Sequence, residues 1–185
     1  GGLINNVTKK PFENFGGEIG FIAGGYGLNR YSADINTPLS NRVFARINAA
    51  YHYEKSFQDA GYTKSFYFAP SFKILSNKKL SFYLNSEFKN ATAVNAPMIF
   101  LNRYAPLSFQ TLDLFEKNYN KSYTNNSLLM NNPSYSIQLQ AIYTLSRNWI
   151  SQTLISRSHT RTNGYYHYLW DASNGDEFTR FISKR

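Results

Sequence analysis

The sequence predicts an all-β chain that forms part of an antiparallel transmembrane β-barrel. Three observations carry this reading. Apolar and polar residues alternate with period two in segment after segment, as in strands with one apolar face. These segments run to about 10 to 15 residues, against roughly five to six in globular sheets. Short turns and long connections also alternate, so in a sheet of sequential hairpins the short ones gather at one end and the long ones at the other, as in membrane-spanning barrels.

The elements follow in order. Glu18 to Ala23 and Arg30 to Thr37 read as a hairpin around Gly24-Gly25-Tyr26-Gly27, a turn that needs positive φ; Ser32, Asp34 and Asn36 share one face of its second strand. In Val43 to Tyr53 the residues Val43, Ala45, Ile47, Ala49, Tyr51 and Tyr53 oppose Arg46, Asn48, His52 and Glu54. Phe66, Phe68, Pro70, Phe72 and Ile74 alternate with Ser65, Tyr67, Ala69, Ser71 and Lys73, and Leu80, Phe82, Leu84 and Phe88 with Ser81, Asn85, Glu87 and Lys89. Tyr135, Ile137, Leu139, Ala141 and Tyr143 alternate with Ser136, Gln138, Gln140 and Thr144. Trp149 to Arg161 and Glu177 to Ser183 complete about eight strands, and Ser108 to Tyr119 can form a short helix. Pro38 to Arg42, Ser76 to Lys79 and Ser146 to Asn148 are tight turns, whereas long outward loops are expected near 91–133 and 160–176.

Composition narrows the class. With 15 Tyr and 15 Phe but only 17% charged residues, against about 25% in an average soluble domain, aromatic and neutral polar side chains replace a salt-bridged surface. The net charge of +9 comes from short basic pairs and scattered single residues without a nucleic-acid motif, so a solvated or lumen-lining role is favoured over nucleic-acid binding. The absence of cysteine excludes disulfides, thiolate metal sites and a cysteine nucleophile. No run of 18 apolar residues occurs, which excludes a transmembrane helix but not a barrel, whose strands average out.

Alternation alone also suits a soluble β-sandwich, such as an adhesin or glycan-binding module with aromatic loops. A complete eight-stranded barrel with a structural role is a third reading. Strand length, sorted connections and aromatics near strand ends (Tyr51, Tyr53, Phe57, Phe66, Phe88, Tyr135, Trp149) favour the partial barrel, because aromatic girdles mark the two membrane interfaces.

Gly1-Gly2-Leu3-Ile4-Asn5-Asn6-Val7-Thr8-Lys9-Lys10-Pro11 resembles the segment that closes the plug of TonB-dependent siderophore receptors. Gly24-Gly25-Tyr26-Gly27, Asp34-Ile35-Asn36-Thr37-Pro38-Leu39, Arg46-Ile47-Asn48-Ala49-Ala50-Tyr51 and Ala69-Pro70-Ser71-Phe72 continue the resemblance in order. So do Tyr143 to Trp149 and Ile155 to Ser158. Asn6 departs from the pattern, which usually has a small apolar residue there. Asn5 and Lys10-Pro11 set the chain apart from the sugar-importing relatives.

The resemblance implies that residues 1–12 end a plug and residues 13–185 begin a barrel of the 22-stranded type, so that the chain is an internal segment of a longer receptor. It further implies an outer-membrane location in a Gram-negative bacterium, lipid contact around the barrel, and energy from a TonB–ExbB–ExbD complex acting through a preceding amino-terminal region. The cargo would be a ferric siderophore of the ferrichrome type, with iron present only inside the chelate and no resident cofactor.

No enzyme chemistry is expected. His52 sits on a polar strand face and reads as a lumen residue; His159 and His167 have no Asp or Glu at metal-ligand spacing, and no nucleophile elbow accompanies the many serines. Binding is the better expectation. Met98 to Tyr104 and Gly164 to Trp170 read as outward loops, with Met98, Phe100, Tyr104, Tyr166 and Tyr168 offering contact area at low conformational cost. Arg103 is placed to meet an anionic chelate.

Overall fold

The computed structural model describes residue 2 and residues 8–94, 97–100, 104, 111–171 and 178–184, the side chains of 115, 118, 171 and 178 excepted. Ten strands and one short helix follow one another: β1 (Gly16–Ala23), β2 (Asn29–Ser40), β3 (Val43–Lys55), β4 (Tyr62–Leu75), β5 (Leu80–Val94), β6 (Met98–Phe100), α1 (Leu112–Asn118), β7 (Leu129–Ser146), β8 (Trp149–Thr160), β9 (Asn163–Asp171) and β10 (Phe178–Lys184). They form one sheet in the order β1-β2-β3-β4-β5-β7-β9-β10, with β8 on β7 and β6 on β9. All pairings are antiparallel except β6 with β9. Among the described residues, the path is open, with no pairing between β1 and its far end. This sets aside both the closed eight-stranded barrel and the sandwich of two packed sheets.

The three short turns are held by the side chain that opens each. Ser40 Oγ accepts the backbone N–H groups of Arg42 and Val43, Asn77 Oδ1 those of Lys79 and Leu80, and Ser146 Oγ that of Asn148. Short polar side chains that hydrogen-bond their own following backbone in this way favour turns over continued strand. Because successive strands reverse, these turns lie at one end of the sheet and the connections 24–28, 56–61 and 95–128 at the other.

Two findings differ from the sequence expectation. The expected loop over 160–176 contains β9. Asn131↔Asn163 continues the register of Ser134↔Thr160, so β8 and the start of β9 are one strand along β7, interrupted opposite Pro133. At Gly164 (φ +140) the chain turns away from β7; a Cβ there would collide with the Leu129 carbonyl, so only glycine fits. The expected loop over 91–133 is also shorter, since β5 runs on to Val94, β7 starts at Leu129, and β6 and α1 lie between them. Helix α1 starts where Thr111 Oγ1 accepts the Leu114 N–H at 3.4 Å, an N-cap.

The register assigns every side chain to a face. One row runs Asn36, Arg46, Ser71, Asn85, Gln138, Ser156 from β2 to β8. The neighbouring residues on the other face give the row Ala45, Phe72, Leu84, Leu139, Ile155 and, four residues further along each strand, Ala49, Phe68, Phe88, Tyr135, His159. The polar face is the covered one. Residues 8–14 form a strap across it, where Asn36, only 1% exposed, accepts the Phe12 N–H at 3.0 Å and donates to the carbonyls of Phe12 and Asn14 at 2.9 and 2.6 Å.

Beside this clamp, Asp34 takes the Arg46 guanidinium through both carboxylate oxygens, each at 2.7 Å, and Lys9 Nζ at 2.6 Å. A two-pronged pair of this kind fixes orientation as well as charge. Arg46 also donates to the Lys10 carbonyl and lies over the Phe12 ring, while Lys73 approaches Glu13 at 3.6 Å. The strap therefore meets the wall through charge and backbone hydrogen bonds, and Thr8 and Lys9 roof a polar cavity of about 420 Å³ lined by Asn48, Tyr67, Asn85 and Glu87.

The apolar face is bare. Ile19, Phe21, Ile35, Ile47, Phe66, Leu84, Phe88, Ile137 and Leu139 are all exposed, whereas the buried hydrophobic residues are Phe44, Ala45, Leu128 and Leu169 among the described residues. This inverts a soluble protein, which covers its apolar strand faces. Along β7 the apolar face runs from Tyr143 to Pro133, about 34 Å at ~3.4 Å per residue. At a strand tilt of ~40° that is about 26 Å of height, matching the roughly 25 Å apolar band of an outer-membrane barrel.

Candidate functional site

The two segments expected to bind ligand from separate loops lie side by side. Strand β6 pairs in parallel with β9, Met98 against Tyr168 and Phe100 against Trp170. Phe100 meets Tyr168 edge-on at 5.8 Å and stacks on Trp170 at 5.1 Å, and Tyr168 stacks on Phe181 of β10 at 5.0 Å. Met98, Phe100, Trp170 and Phe181 are exposed, so these rings form a solvent-facing aromatic shelf at the long-connection end. Tyr166 shares the shelf's face of β9, one step towards the sheet, opposite Ser183. Tyr166 and Tyr168 are thus strand residues rather than loop-tip residues. Tyr104 is 94% exposed, and Arg103 lies outside the described residues.

The reverse face of β9 is packed against the chain. His167 and Leu169 are 0% and 2% exposed, and His167 Nε2 lies 3.0 Å from Thr124 Oγ1. Arg180 Nη2 donates to the Tyr123 carbonyl at 2.9 Å. Residues 119–126 that cover this face are themselves tied to the β3–β4 connection. Gln58 Nε2 donates to the carbonyls of Tyr119 and Lys121, Asp59 N to that of Asn120, Gly61 N to Asn126 Oδ1, and Ser122 to Asp59. Two hydrogen bonds from Ser122 hold the Asp59 carboxyl below its ordinary carboxylate range, because they favour the charged form.

A second aromatic group lies on this brace. Phe57 stacks with Tyr119 at 6.3 Å and meets Tyr26 edge-on at 6.4 Å, and Tyr26 and Phe57 border a cavity of about 420 Å³ with Glu54, Gln58, Tyr62 and Thr124. Tyr26 adopts a left-handed φ of 55, uncommon for a bulky side chain. Sequence reasoning placed Phe57 in a girdle and passed over Tyr119, Trp170 and Phe181 as site residues. For Trp170 and Phe181 the available signal was parity, since both fall in step with Tyr168 across β9 and β10.

The histidines take separate roles. His52 lies on the polar face with Nε2 3.6 Å from Glu54, His159 rests on the Tyr135 ring at 5.6 Å on the apolar face, and His167 is buried behind the shelf. No group of His, Cys, Asp and Glu able to hold a metal occurs among the described residues. The arrangement offers ring faces and edges for an organic ligand above a polar wall.

No protein-family model and no curated protein sequence matches the chain. Solved structures do. The ferric-catecholate import receptor Fiu from K12 E. coli, in its closed form, matches with a TM-score of 0.78 at 14% identity over 96% of this chain and 27% of that one. The ferripyoverdine receptor of the outer membrane of Pseudomonas aeruginosa, bound to ferripyoverdine, matches with 0.78 at 13% identity over 95% and 24%. The siderophore receptor PiuA from Acinetobacter baumannii matches with 0.67 at 13% identity over 85% and 23%. The chain spans about a quarter of the length of these receptors. They are transport receptors rather than enzymes, and at this identity the likeness concerns the fold: the chain has the antiparallel barrel-wall architecture of siderophore receptors of the outer membrane.

Proposed function

We propose that this chain is part of an outer-membrane receptor that imports a ferric siderophore with energy from a TonB–ExbB–ExbD complex. Residues 1–12 end its plug and residues 13–185 are barrel wall. The observation that carries this reading is the pairing of a bare apolar face with a strapped polar face, topped by the aromatic shelf at one end. A lumen must be wet and a lipid face apolar, and a ligand arriving from outside meets the long-connection end first. Phe100, Tyr166 and Tyr168, with Met98, Trp170 and Phe181, supply the contact area. Tyr104, exposed, follows β6 in the sequence, and Arg103 before it is the candidate cation for an anionic chelate. Iron enters only as cargo inside its chelate. The ferrichrome type is the finer reading, resting on the resemblance of the Tyr166 and Tyr168 positions to those where receptors for ferric hydroxamates place aromatic ligand contacts.

The test uses the full-length receptor in detergent and titrates ferric hydroxamate, ferric catecholate and the iron-free ligands by fluorescence quenching. A ferric chelate should bind, and Phe100→Ala with Tyr168→Ala should weaken it roughly ten-fold or more, since each ring contributes about 1 kcal/mol beyond area burial. Phe82→Ala, on the apolar face, should lower stability and leave affinity unchanged. Unchanged binding by the double variant overturns the shelf as the site; a folded receptor that binds no ferric chelate overturns the function.

A further inference from the structure

The second aromatic group is built unlike the first. Tyr26 holds a left-handed φ of 55 between Gly25 and Gly27, a conformation that glycine adopts freely and a bulky side chain does not. Its ring is 61% exposed and meets Phe57 only edge-on, at 6.4 Å, so packing does little to offset the strain. Strain held at an exposed aromatic residue points to a ring presented for use. Phe57 and Tyr119, also more than half exposed, lie nearly parallel, their planes 17° apart. Tyr26 and Phe57 border the cavity of about 420 Å³ beside them, and the rest of its wall includes Glu54, Lys55, Gln58 and Thr63.

This mixture constrains the occupant. Ring faces suit a ligand with a flat C–H surface, and a few placed polar groups beside them fix its orientation. Glu54, which approaches His52 through Oε2, keeps Oε1 as an acceptor. Gln58 donates its Nε2 to the Tyr119 and Lys121 carbonyls and keeps its amide oxygen, while Lys55 and Thr63 bring donors. Glu54 and Lys55 carry one charge of each sign, so a small ion of either sign meets a like charge here. We propose that this cavity binds a neutral pyranose sugar, its C–H face on the rings of Phe57 and Tyr26 and its hydroxyls on Glu54, Gln58 and Thr63. The site shares no ring with the Phe100–Trp170 shelf and calls for no iron, so it stands apart from the cargo proposed above.

The experiment is saturation-transfer NMR of the full-length receptor in a detergent without a sugar headgroup. It is titrated with methyl β-glucopyranoside or with sorbitol, an open-chain polyol that has hydroxyls but no ring face. Wild type should transfer saturation to the ring C–H protons of the glucoside and not to sorbitol. Tyr26→Gly removes one ring and relieves the strained φ, so the fold is kept, and it should weaken glucoside binding roughly five-fold or more. Glu54→Gln, which keeps the shape and removes the charge of the acceptor, should weaken it as well. Phe100→Ala with Tyr168→Ala should bind the glucoside as wild type does. The proposal is overturned by a folded wild type that takes no saturation to the glucoside, by sorbitol binding as tightly, by a Tyr26→Gly receptor that binds as wild type, or by loss of the glucoside in the shelf variant. A receptor that binds no ferric chelate yet shows the expected glucoside pattern supports the sugar site while overturning the proposed cargo.

Discussion

Ser122 donates both its backbone N–H and its hydroxyl to one carboxylate oxygen of Asp59, at 2.8 and 2.6 Å. These residues are 63 apart in sequence, and their contact joins the β3–β4 connection to the stretch that covers the reverse face of β9. The shelf that carries Phe100, Tyr168 and Trp170 is therefore backed by a brace that the Asp59 carboxylate ties to the β3–β4 connection.

That anchor makes the brace sensitive to acid. Asp59 titrates below its ordinary value of 3.8 because Ser122 favours its charged form. Its contribution to order is complete above the unfolded value and is lost as pH falls through the lower folded value. Amide exchange of residues 119–126, corrected for intrinsic pH dependence, should be flat from neutral pH down to ordinary carboxylate values and rise below them. Asp59→Asn should raise exchange at neutral pH and remove that dependence. A variant as protected as wild type would show that the brace does not need the charge.

The strap gives a second expectation. Replacing Asn36 with alanine removes the partner of the Phe12 N–H and of the Phe12 and Asn14 carbonyls; since Phe12 and Asn14 are exposed and water can replace it, each bond counts at its net worth of about 0.5–1.5 kcal/mol. Hydrogen exchange at Phe12 should accelerate by roughly ten-fold or more, while exchange in β4 and β5 stays as in wild type. If β4 and β5 loosen equally, the strap is part of the wall's stability rather than a segment laid on it.

How much of this was legible in the sequence depends on whether the two faces of a strand differ. Strands β3, β4, β5 and β7 alternate cleanly because one face meets a polar lumen and the other a bare apolar surface, and their short turns begin with Ser or Asn side chains that announce themselves. Strand β9 hides the same period. Tyr166, Tyr168 and Trp170 face the shelf while His167 and Leu169 are buried behind it, so aromatic and apolar groups occupy both faces and the stretch reads as a glycine- and tyrosine-rich loop. Strand β6 has three residues, too few for any period, and its parallel pairing with β9 spans some seventy positions. Met98, Phe100, Tyr166 and Tyr168 were singled out by their chemistry, whereas Trp170 and Phe181 were not, and the meeting of these residues is set by tertiary pairing. The Asp34–Arg46 contact is diagonal across β2 and β3, visible only once Asn36↔Arg46 fixes the register.

The facing of the sheet itself can be tested at two adjacent residues. Gln138 points to the strapped, polar side, in the row of Arg46 and Ser71, and Leu139 to the bare side, in the row of Phe72 and Leu84. Both lie near the middle of β7, so they share backbone, depth and strand partners and differ only in direction. In a lipid bilayer Leu139→Arg places a guanidinium in hydrocarbon, at a cost of about 2–4 kcal/mol near the midplane. Gln138→Arg places the same group in a polar wall beside Glu87, where the effect should stay within about 0.5 kcal/mol, as for other substitutions that bury no unpaired charge. Urea unfolding of the full-length receptor in lipid vesicles, followed by tryptophan fluorescence, measures both. The Leu139 variant should unfold at clearly lower denaturant, with the Gln138 variant close to wild type. The opposite order would mean that the strap lies outside the barrel and that the lumen is on the apolar side, since backbone, depth and the introduced side chain are the same in both variants.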